Sequence, residues 1–269
     1  MRVKRFLYSL LFKPQRVIVV LRRLIAKKYV KFVLNRQVIE GEFVFLTAAD
    51  SSHYKTVKQF LESFFKFETD SIIVFYDLGL SDKERRDLEK EFPEVVYHQF
   101  NYSEFPDYFD LSKNSGGYAW KPVIFWETLN QYKCKLIWMD AGTLITKPLD
   151  NLKKYITWKG YYWHYSPGTI HEWTHRKTLI YLEVQKKFYK YRNLSAAAIA
   201  VDYKFESALF VAREWRDCAM CEECISPKGS DRSNHRQDQA ALTILAHKRG
   251  LATGLKLRET GFLIQQDID

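Results

Sequence analysis

Three charged side chains stand where they can act chemically on a ligand. Asp140 follows an unbroken apolar run, Leu136–Met139, which is typical of a strand buried on both faces. Lys121 lies 19 residues earlier in YAWKP, and Asp238 lies in the polar cluster HRQDQ further along the chain. An acid at the carboxyl end of such a strand lies at the sheet edge where open α/β folds bind ligands. We therefore expect a site around Asp140, with Lys121 and Asp238 as its other charged members.

Alternating strands and helices must position these side chains. Residues 42–48 and 71–76 predict strands, with a helix over 53–67 between them. Ser81 and Glu84 form a capping box that opens a helix over 82–92, and 95–100 predicts a third strand. This β-α-β-α-β order favours a parallel sheet. Later predicted elements are a helix over 120–132, the strand before Asp140, a strand over 160–164, and helices over 178–191, 204–224 and 238–249.

The basic residues are concentrated at the amino terminus. Of the 42 Lys and Arg side chains, eleven lie in residues 1–36, which contain no Asp or Glu. The remaining residues are almost neutral, which argues against nucleic acid as a partner. The longest apolar run of the segment, Val17–Leu21, is far shorter than the ~20 residues of a membrane-spanning helix. We expect residues 1–36 to lie as amphipathic helix on an anionic membrane surface, or else to pack on the body with their charges in water.

Three of the four cysteines, Cys218, Cys221 and Cys224, form a cluster. A chain of 269 residues is not a small disulfide scaffold, so the spacing favours a reducing compartment. The cluster falls in a predicted helix and lacks the turns and the fourth ligand of zinc and iron–sulfur sites. We therefore expect these thiols to be buried packing residues.

Several motifs resemble those of one glycosyltransferase class. The stretch LTAADSSHYKTVKQFLESF resembles the start of GT-A glycosyltransferases, particularly the family 8 type. The motifs YDLGLS, YAWKP, WMDAG and HRxDQ, in this order, resemble a little-characterised group of GT-A-type proteins from bacteria, plants and nematodes. The resemblance covers roughly residues 43–245. It implies an α/β, GT-A-like (Rossmann-like) fold with a mixed, mainly parallel sheet flanked by helices.

The resemblance places a nucleotide over the end of the first strand. The residues implied to contact the base and ribose are Thr47, Ala48, Asp50 and Tyr54. Small alanine side chains admit a flat ring, and the Asp50 carboxylate can accept a hydrogen bond from a base or a ribose hydroxyl. Asp50 is as well placed to cap the following helix. Asp77 in YDLGLS either contacts the base or holds the turn, and we favour the turn.

The diphosphate and the transferred sugar would then lie at Lys121 and Asp140. Lys121 resembles a basic residue that neutralises charge on the leaving diphosphate. Similar enzymes carry Asp-X-Asp, whose carboxylates hold Mn²⁺ or Mg²⁺, but this chain reads Asp140-Ala141-Gly142. Either Asp140 holds the ion with help from elsewhere, or it bonds the ribose or the sugar and Lys121 carries the charge. The missing side chain at Gly142 lets a ligand come close to the backbone.

The HRQDQ cluster contains Asp238, the other acid expected at the site beside Asp140. Asp238 would be the general base for an acceptor hydroxyl in an inverting reaction, or would bond the donor sugar in a retaining one. An acid that favourably starts a helix is the structural alternative. The neighbours expected to meet phosphate or sugar are His235, Arg236 and Gln239. The aromatic stretch YYWHYSPGTIHEWTH is expected to form an acceptor wall with Trp163, His164, His171, Trp173 and His175, and the histidines there have no zinc spacing.

These features predict a basic membrane-surface segment, 1–36, followed by a GT-A-like domain, 37–269. The expected function is transfer of a sugar from a nucleotide-diphosphate sugar to a hydroxyl acceptor, a glycan or lipid-linked precursor of polysaccharide biosynthesis. We expect a cytoplasmic protein, peripheral on the inner face of a membrane. The sequence has no GxxxxGK[ST] or GxGxxG motif, which counts against kinases and dehydrogenases. The alternative is a non-catalytic nucleotide-sugar- or glycan-binding protein that kept the fold.

Overall fold

A computed structural model describes residues 43–69, 71–251 and 255–268. The predicted membrane segment, 1–36, lies outside these residues. The strands in chain order are β1 (Phe43–Asp50), β2 (Ile72–Gly79), β3 (Val96–Gln99), β4 (Lys135–Met139), β5 (Leu144–Ile145), β6 (Tyr161–Thr169), β7 (Arg192–Asp202) and β8 (Phe262–Leu263). The α-helices are α1 (Tyr54–Phe67), α2 (Asp82–Glu91), α3 (Trp120–Tyr132), α4 (Asp150–Lys159), α5 (Ile170–Trp173), α6 (Arg176–Tyr181), α7 (Glu206–Ala219), α8 (Glu222–Ile225) and α9 (Gln237–Lys248).

Six strands form the central sheet in the order β3-β2-β1-β4-β7-β6. The first four run parallel, β7 is antiparallel to β4, and β6 is antiparallel to β7. Five of these six strands therefore point the same way, which confirms the mixed, mainly parallel sheet. The carboxyl ends of β1 and β4 meet at one edge, where Asp50 ends β1 and Asp140 follows β4. The amino-terminal half of β7 reaches the same edge, because the Asp140 N–H donates to the carbonyl of Ala197 at 2.8 Å.

Local sequence explains the helices that flank the sheet. Helix α1 buries a stripe of apolar side chains at helical spacing: Val57, Phe60, Leu61 and Phe64. The predicted capping box is present at the start of α2, where Ser81 and Glu84 bond each other's backbone N–H groups. Pro122 lies in the first turn of α3, where its missing N–H has no helical partner to lose.

The carboxyl-terminal tail returns to the sheet edge and is held there. Strands β5 and β8 form a separate antiparallel pair in which Leu144 faces Leu263. Beyond β8, the N–H of Gln266 donates to the carbonyl of Gly142 at 2.8 Å, and the side chain of Gln59 donates to the carbonyl of Gln266 at 2.9 Å. The tail therefore packs beside the residues that follow β4.

The helix predicted over 204–224 does not continue to its expected end. Helix α7 ends at Ala219, Cys221 is extended, and the short helix α8 follows. A continuous helix would separate the Cα atoms of Cys218 and Cys224 by about 9 Å. They are 5.2 Å apart and joined by a disulfide. The expectation that these two residues are packed as free thiols is therefore corrected, whereas Cys134 and Cys221 are free.

Two other boundaries differ from prediction. The helix expected over 178–191 is replaced by α6 and by a 3-10 turn at Lys186–Phe188. Strand β6 runs five residues further than the expected end at residue 164. Among the described residues no helix is both long enough and apolar enough to cross a membrane.

Candidate active site

A cleft opens at the sheet edge where β1 and β4 end. It consists of a smaller cavity of about 310 Å³ beside the end of β1 and a larger cavity of about 550 Å³ beside β6, β7 and α9. Lys121, Asp140 and Gly142 line both cavities. The two cavities therefore meet at the residues that the sequence indicates as the centre of the site.

A strained turn before α3 positions Lys121 where the two cavities meet. Residues 115–118 all have positive φ, including the non-glycine residues Ser115 and Tyr118. Gly116 has no alternative there, because a Cβ atom would fall on the carbonyl oxygen of Phe109. Helix α3 begins two residues after this turn and points the Lys121 side chain inward, where only 5% of it is exposed.

Lys121 and Asp140 form the closest ion pair of the cleft. The Lys121 Nζ atom lies 2.7 Å from Oδ1 of Asp140, and the Trp138 indole N–H donates to the same oxygen at 2.6 Å. The Nζ atom also lies 5.1 Å from the centre of the Trp138 ring, within cation–π range. Burial opposes the charge on Lys121, but Asp140 and Asp238 outweigh it and raise the pKa of the ammonium group. The cleft therefore contains a buried, permanently charged cation.

Asp238 lies on the other side of that cation. Its Oδ2 atom is 3.5 Å from Nζ of Lys121, an ion contact too long to be a strong hydrogen bond, and only 8% of the side chain is exposed. Within the described chain, this oxygen has no hydrogen-bond donor. Burial raises the pKa of Asp238, and the Lys121 charge partly opposes that rise. The indole of Trp215 donates to the Asp238 carbonyl at 2.7 Å and fixes the start of α9.

His164 is a buried, unpaired polar group in the larger cavity. It is 5% exposed, and neither ring nitrogen has a hydrogen-bond partner among the described residues. Burial lowers the pKa of His164 to about 4, so the ring is neutral at physiological pH. An imidazole in this state is available to a ligand as both donor and acceptor.

The structure does not bring Trp163 to the cleft, although the sequence predicted it there. Neighbouring residues of a strand point to opposite faces, so His164 faces the larger cavity while Trp163 faces the core. The indole of Trp163 is fully buried and donates to the carbonyl of Leu251 at 3.1 Å. Tyr165 and Trp173 line the larger cavity together with His164.

Only some of the residues expected to contact a nucleotide line the smaller cavity. Ala48 and Asp50 line the smaller cavity. Thr47 is fully buried behind them, and Tyr54 lies on α1 outside both cavities, so neither of these two expectations fits the structure. Asp77 accepts hydrogen bonds from the N–H groups two and three residues later, which confirms that it holds the turn.

Asp50 combines two roles that the sequence left open. Its Oδ1 atom accepts from the Ser52 N–H at 3.0 Å and lies 3.1 Å from Nδ1 of His53. The His53 hydrogen bond is the main reason that the pKa of Asp50 falls to about 2. The carboxylate therefore caps the 3-10 turn after β1 while still lining the smaller cavity.

The HRQDQ cluster contributes three of its four expected residues. Asp238, Arg236 and Gln239 line the larger cavity, and the Arg236 guanidinium stacks 4.1 Å from the centre of the Trp173 ring. His235 does not reach the cavity. Its Nδ1 atom accepts from the N–H of His175 at 3.2 Å, and its Nε2 atom lies 3.0 Å from the carbonyl of Ile225. The predicted phosphate contact of His235 is therefore wrong, because both ring nitrogens are occupied by backbone.

Three further residues of the cleft escaped sequence reasoning: Tyr118, Arg232 and Asp267. All three line both cavities, and a guanidinium nitrogen of Arg232 donates to the Tyr118 hydroxyl at 2.7 Å. Tyr118 belongs to the YAWKP motif, which was the available signal. Arg232 and Asp267 lie in a polar loop and in the tail, where no periodic pattern marks them.

A preformed metal site is absent from the described residues, since no group of three or more His, Cys, Asp and Glu side chains is placed to hold an ion. Asp140 and Asp267 nevertheless both line the two cavities. Carboxylate oxygens suit Mn²⁺ and Mg²⁺, which proteins often bind through one or two carboxylates and substrate phosphates. These two carboxylates therefore fit a divalent ion whose remaining ligands would come from a bound diphosphate.

Sequence comparison identifies little. A family described as a protein of unknown function (DUF1647) matches residues 16–126, and no curated protein matches the chain. This match covers less than half of the sequence and assigns no activity.

Structure comparison places the fold. The Mn/GDP form of core-mannan synthase A (CmsA/Ktr4) from Aspergillus fumigatus is similar over 83% of this chain and 74% of that chain, with a TM-score of 0.53 and 10% identity. Galactosyltransferase LgtC, in complex with donor and acceptor sugar analogs, matches over 74% of this chain and 69% of that chain, with a TM-score of 0.46 and 17% identity.

The bifunctional glycosyltransferase WbbM in its apo form matches over 81% of this chain, with a TM-score of 0.48 and 11% identity. This chain spans only 39% of the length of WbbM. These three structural neighbours are glycosyltransferases. The likeness to core-mannan synthase A confirms the GT-A-like fold class.

Proposed function

We propose that this protein transfers a glycosyl group from a nucleotide-diphosphate sugar to a hydroxyl acceptor. The carrying observation is the buried Lys121 ammonium between Asp140 and Asp238, at the point where the two cavities meet. A cation at this junction suits a reaction in which a glycosyl group passes to an acceptor in one cavity while its diphosphate leaving group stays with the nucleotide in the other. The GT-A-like fold of the chain supports the same reaction class.

The nucleotide would occupy the smaller cavity. Ala48 and Ala49 leave room for a flat ring beside the end of β1, and Asp50 presents a carboxylate to a base or ribose hydroxyl. The diphosphate would extend toward Lys121 and Arg232, which line both cavities. A divalent cation, when bound, would neutralise further diphosphate charge.

The acceptor would occupy the larger cavity. A bond forms between the acceptor oxygen and the anomeric carbon while the bond from that carbon to the diphosphate oxygen breaks. The bonding electron pair goes to the diphosphate, whose added charge Lys121 stabilises. In an inverting reaction the hydroxyl proton goes to Asp238, whose raised pKa makes the carboxylate a stronger base than an exposed aspartate. In a retaining reaction Asp238 would bond the donor sugar, and the proton would leave with the diphosphate.

A glycan or lipid-linked precursor of polysaccharide biosynthesis remains the proposed acceptor, and it rests on the basic residues of 1–36. That segment would hold the protein on an anionic membrane surface. The cytoplasmic location expected from the sequence stays a prediction. The Cys218–Cys224 disulfide counts against a reducing compartment, because such bonds persist mainly under oxidising conditions.

Nucleotide-sugar binding and hydrolysis test the proposal. Purified protein is screened by thermal shift against a panel of nucleotide sugars with and without Mn²⁺, and hydrolysis of each stabilising donor is followed. We expect at least one donor to raise Tm, and we expect Asp140→Asn and Asp238→Asn each to lower turnover at least ten-fold.

Asp202→Asn is the matched control, because Asp202 pairs with Lys135 at the opposite end of β4 and lies outside both cavities. Stabilisation by a donor without turnover would favour the non-catalytic binding protein. A lack of any shift with every donor would overturn the proposed function.

A further inference from the structure

The space normally filled by a side chain at position 142 is filled by a carboxylate from the tail. A Cβ atom built on Gly142 would lie 2.6 Å from Oδ1 and 2.9 Å from Oδ2 of Asp267. Real Cβ atoms do not approach other atoms so closely, so a larger residue at 142 would require the Asp267 side chain to move. Gly142 has no positive φ, so backbone conformation alone does not require glycine there.

The position of Asp267 is fixed by the backbone on both sides of it. The preceding residue, Gln266, donates its N–H to the carbonyl of Gly142 at 2.8 Å. The following residue, Ile268, donates its N–H to Oγ1 of Thr56 at 3.0 Å. These bonds hold the Asp267 carboxylate beside position 142, two residues beyond Asp140.

Two buried groups indicate that the cleft is built for a polar ligand. Oδ2 of Asp238 and both ring nitrogens of His164 lack hydrogen-bond partners in the described chain, although each residue is 5% exposed and lines the larger cavity. Burying such groups without a hydrogen-bond partner destabilises the folded chain, and a ligand that bonds to them removes that cost. Asp267 lines the same cavity.

We propose that Asp267 supplies the second carboxylate for a divalent cation of the Mg²⁺ or Mn²⁺ type, held together with Asp140 and the diphosphate of the nucleotide. This inference rests on the proposed function, because the diphosphate completes the ion's coordination. Asp140 uses Oδ1 for Lys121 and Trp138, and in the described chain Oδ2 has no hydrogen bond to protein, so it is open to the ion. Two protein carboxylates and two phosphate oxygens, with water, satisfy a hard cation.

The proposal makes cation binding dependent on nucleotide. Two carboxylates beside a lysine ammonium form a weak site alone, which agrees with the absence of a preformed three-residue cluster in the described part of the chain. Full-length protein is titrated with UDP and with GDP by calorimetry, in EDTA and in Mn²⁺. Free Mn²⁺ is measured by its EPR signal at saturating nucleotide.

For the native protein we expect Mn²⁺ to tighten binding of at least one nucleotide ten-fold or more. Asp267→Asn should remove this dependence, and it should leave Mn²⁺ free in the EPR measurement. Asp202→Asn should behave as the native protein. Gly142→Asp with Asp267→Ala should restore Mn²⁺ dependence, because removing the tail carboxylate makes room for an acid at 142. Tm of each variant establishes that it is folded.

The outcomes separate the two proposals. Nucleotide binding that is equally tight in EDTA and in Mn²⁺, or an Asp267→Asn variant that keeps the native Mn²⁺ dependence, would overturn the role of Asp267 and leave the proposed function standing. No binding of any nucleotide or nucleotide sugar under either condition would overturn both.

Discussion

Lys121 and Asp140 form a 2.7 Å ion pair whose two members differ greatly in exposure. The lysine side chain is 5% exposed, whereas that of the aspartate is 39% exposed. The Lys121 ammonium group is therefore buried in the protein interior, whereas part of the Asp140 carboxylate is exposed to the cleft. Asp238 lies on the buried side of the same ammonium group, so Lys121 neutralises one buried acid and one open acid together.

Lys121→Met should destabilise the fold because it leaves the Asp238 carboxylate buried without a counter-charge. Breaking a buried pair in this way costs about 3–5 kcal/mol. Adding Asp238→Asn to Lys121→Met should restore at least ~1 kcal/mol of the free energy of unfolding, because it removes the buried, unpaired carboxylate. The measurement is the free energy of unfolding from denaturant titration of the single and double variants.

Lys113→Met is the control, since Lys113 is exposed and its 3.9 Å contact with Asp110 should contribute little to stability. Equal losses for Lys121→Met and Lys113→Met would contradict the buried-pair interpretation.

Much of the site was predictable because it depends on local patterns. The apolar run before Asp140 predicts β4, and parallel strands must end at one edge, so Asp50 and Asp140 were expected on the same side. Lys121 follows from a basic residue in an apolar helix start. These inferences need only the sequence near each residue and the rule that strands of one direction share an edge.

The remainder depends on contacts that sequence patterns do not encode. Trp163 and His164 are neighbours, and a one-residue change in strand phase decides which faces the cleft. His235 is held by the backbone of two separate segments, at His175 and at Ile225, which no motif indicates. Asp267 reaches the site only because β8 pairs with β5 across more than one hundred residues.

Gly116→Ala should be strongly destabilising and should misplace Lys121. The new Cβ atom would collide with the backbone carbonyl of Phe109 at a residue that already has φ of +61°. We expect a loss of at least ~2 kcal/mol from strain and displaced backbone. Gly250→Ala is the matched control, because it has φ of +68° but no atom within 4 Å of the added Cβ, so it should cost only ~1 kcal/mol. Thermal and denaturant unfolding of both variants give the comparison.

Thiol counting checks the disulfide. In denaturant without reductant, two of the four cysteines, Cys134 and Cys221, should react with a thiol reagent, and all four should react after reduction. Cys218→Ser should lower the free energy of unfolding by about 2 kcal/mol, as the loop-entropy model gives for a short closed loop. Cys221→Ser is the control and should have little effect, since Cys221 is half-buried and unbridged. Four reactive thiols before reduction would show that the bond does not form.

The amino-terminal segment should bind anionic vesicles through its charge. Replacing Arg22, Arg23, Lys27 and Lys28 by Glu in the full-length protein should abolish sedimentation with phosphatidylserine-containing liposomes, because each basic residue contributes about 1 kcal/mol near such a surface. Binding by the native protein should weaken as salt is raised and should be lost on neutral liposomes. Undiminished binding by the charge-reversed variant would refute membrane association of residues 1–36.

His235 should make stability fall in mild acid. The buried ring is neutral, and burial lowers its pKa from the ordinary 6.5 to about 4. Below pH 6.5 the His235 ring becomes protonated in the unfolded chain but stays neutral in the folded chain. Its contribution to stability is therefore complete above pH 6.5 and is lost as the pH falls toward 4. The loss approaches ~3 kcal/mol at pH 4, with a slope of up to ~1.4 kcal/mol per pH unit.

The free energy of unfolding measured between pH 7 and pH 4.5 tests this, and the quantity compared is its slope rather than its level. His235→Gln should reduce the slope, because the glutamine side chain does not titrate while its amide can still meet the carbonyl of Ile225. His164, whose pKa is also lowered to about 4, will keep part of the slope in this variant. His171→Gln is the control, since it replaces an exposed histidine and leaves both backbone bonds of His235 in place. A His235→Gln slope equal to the native one would mean that the ring is protonated in the folded protein, and the backbone bonds at both nitrogens would then need reassignment.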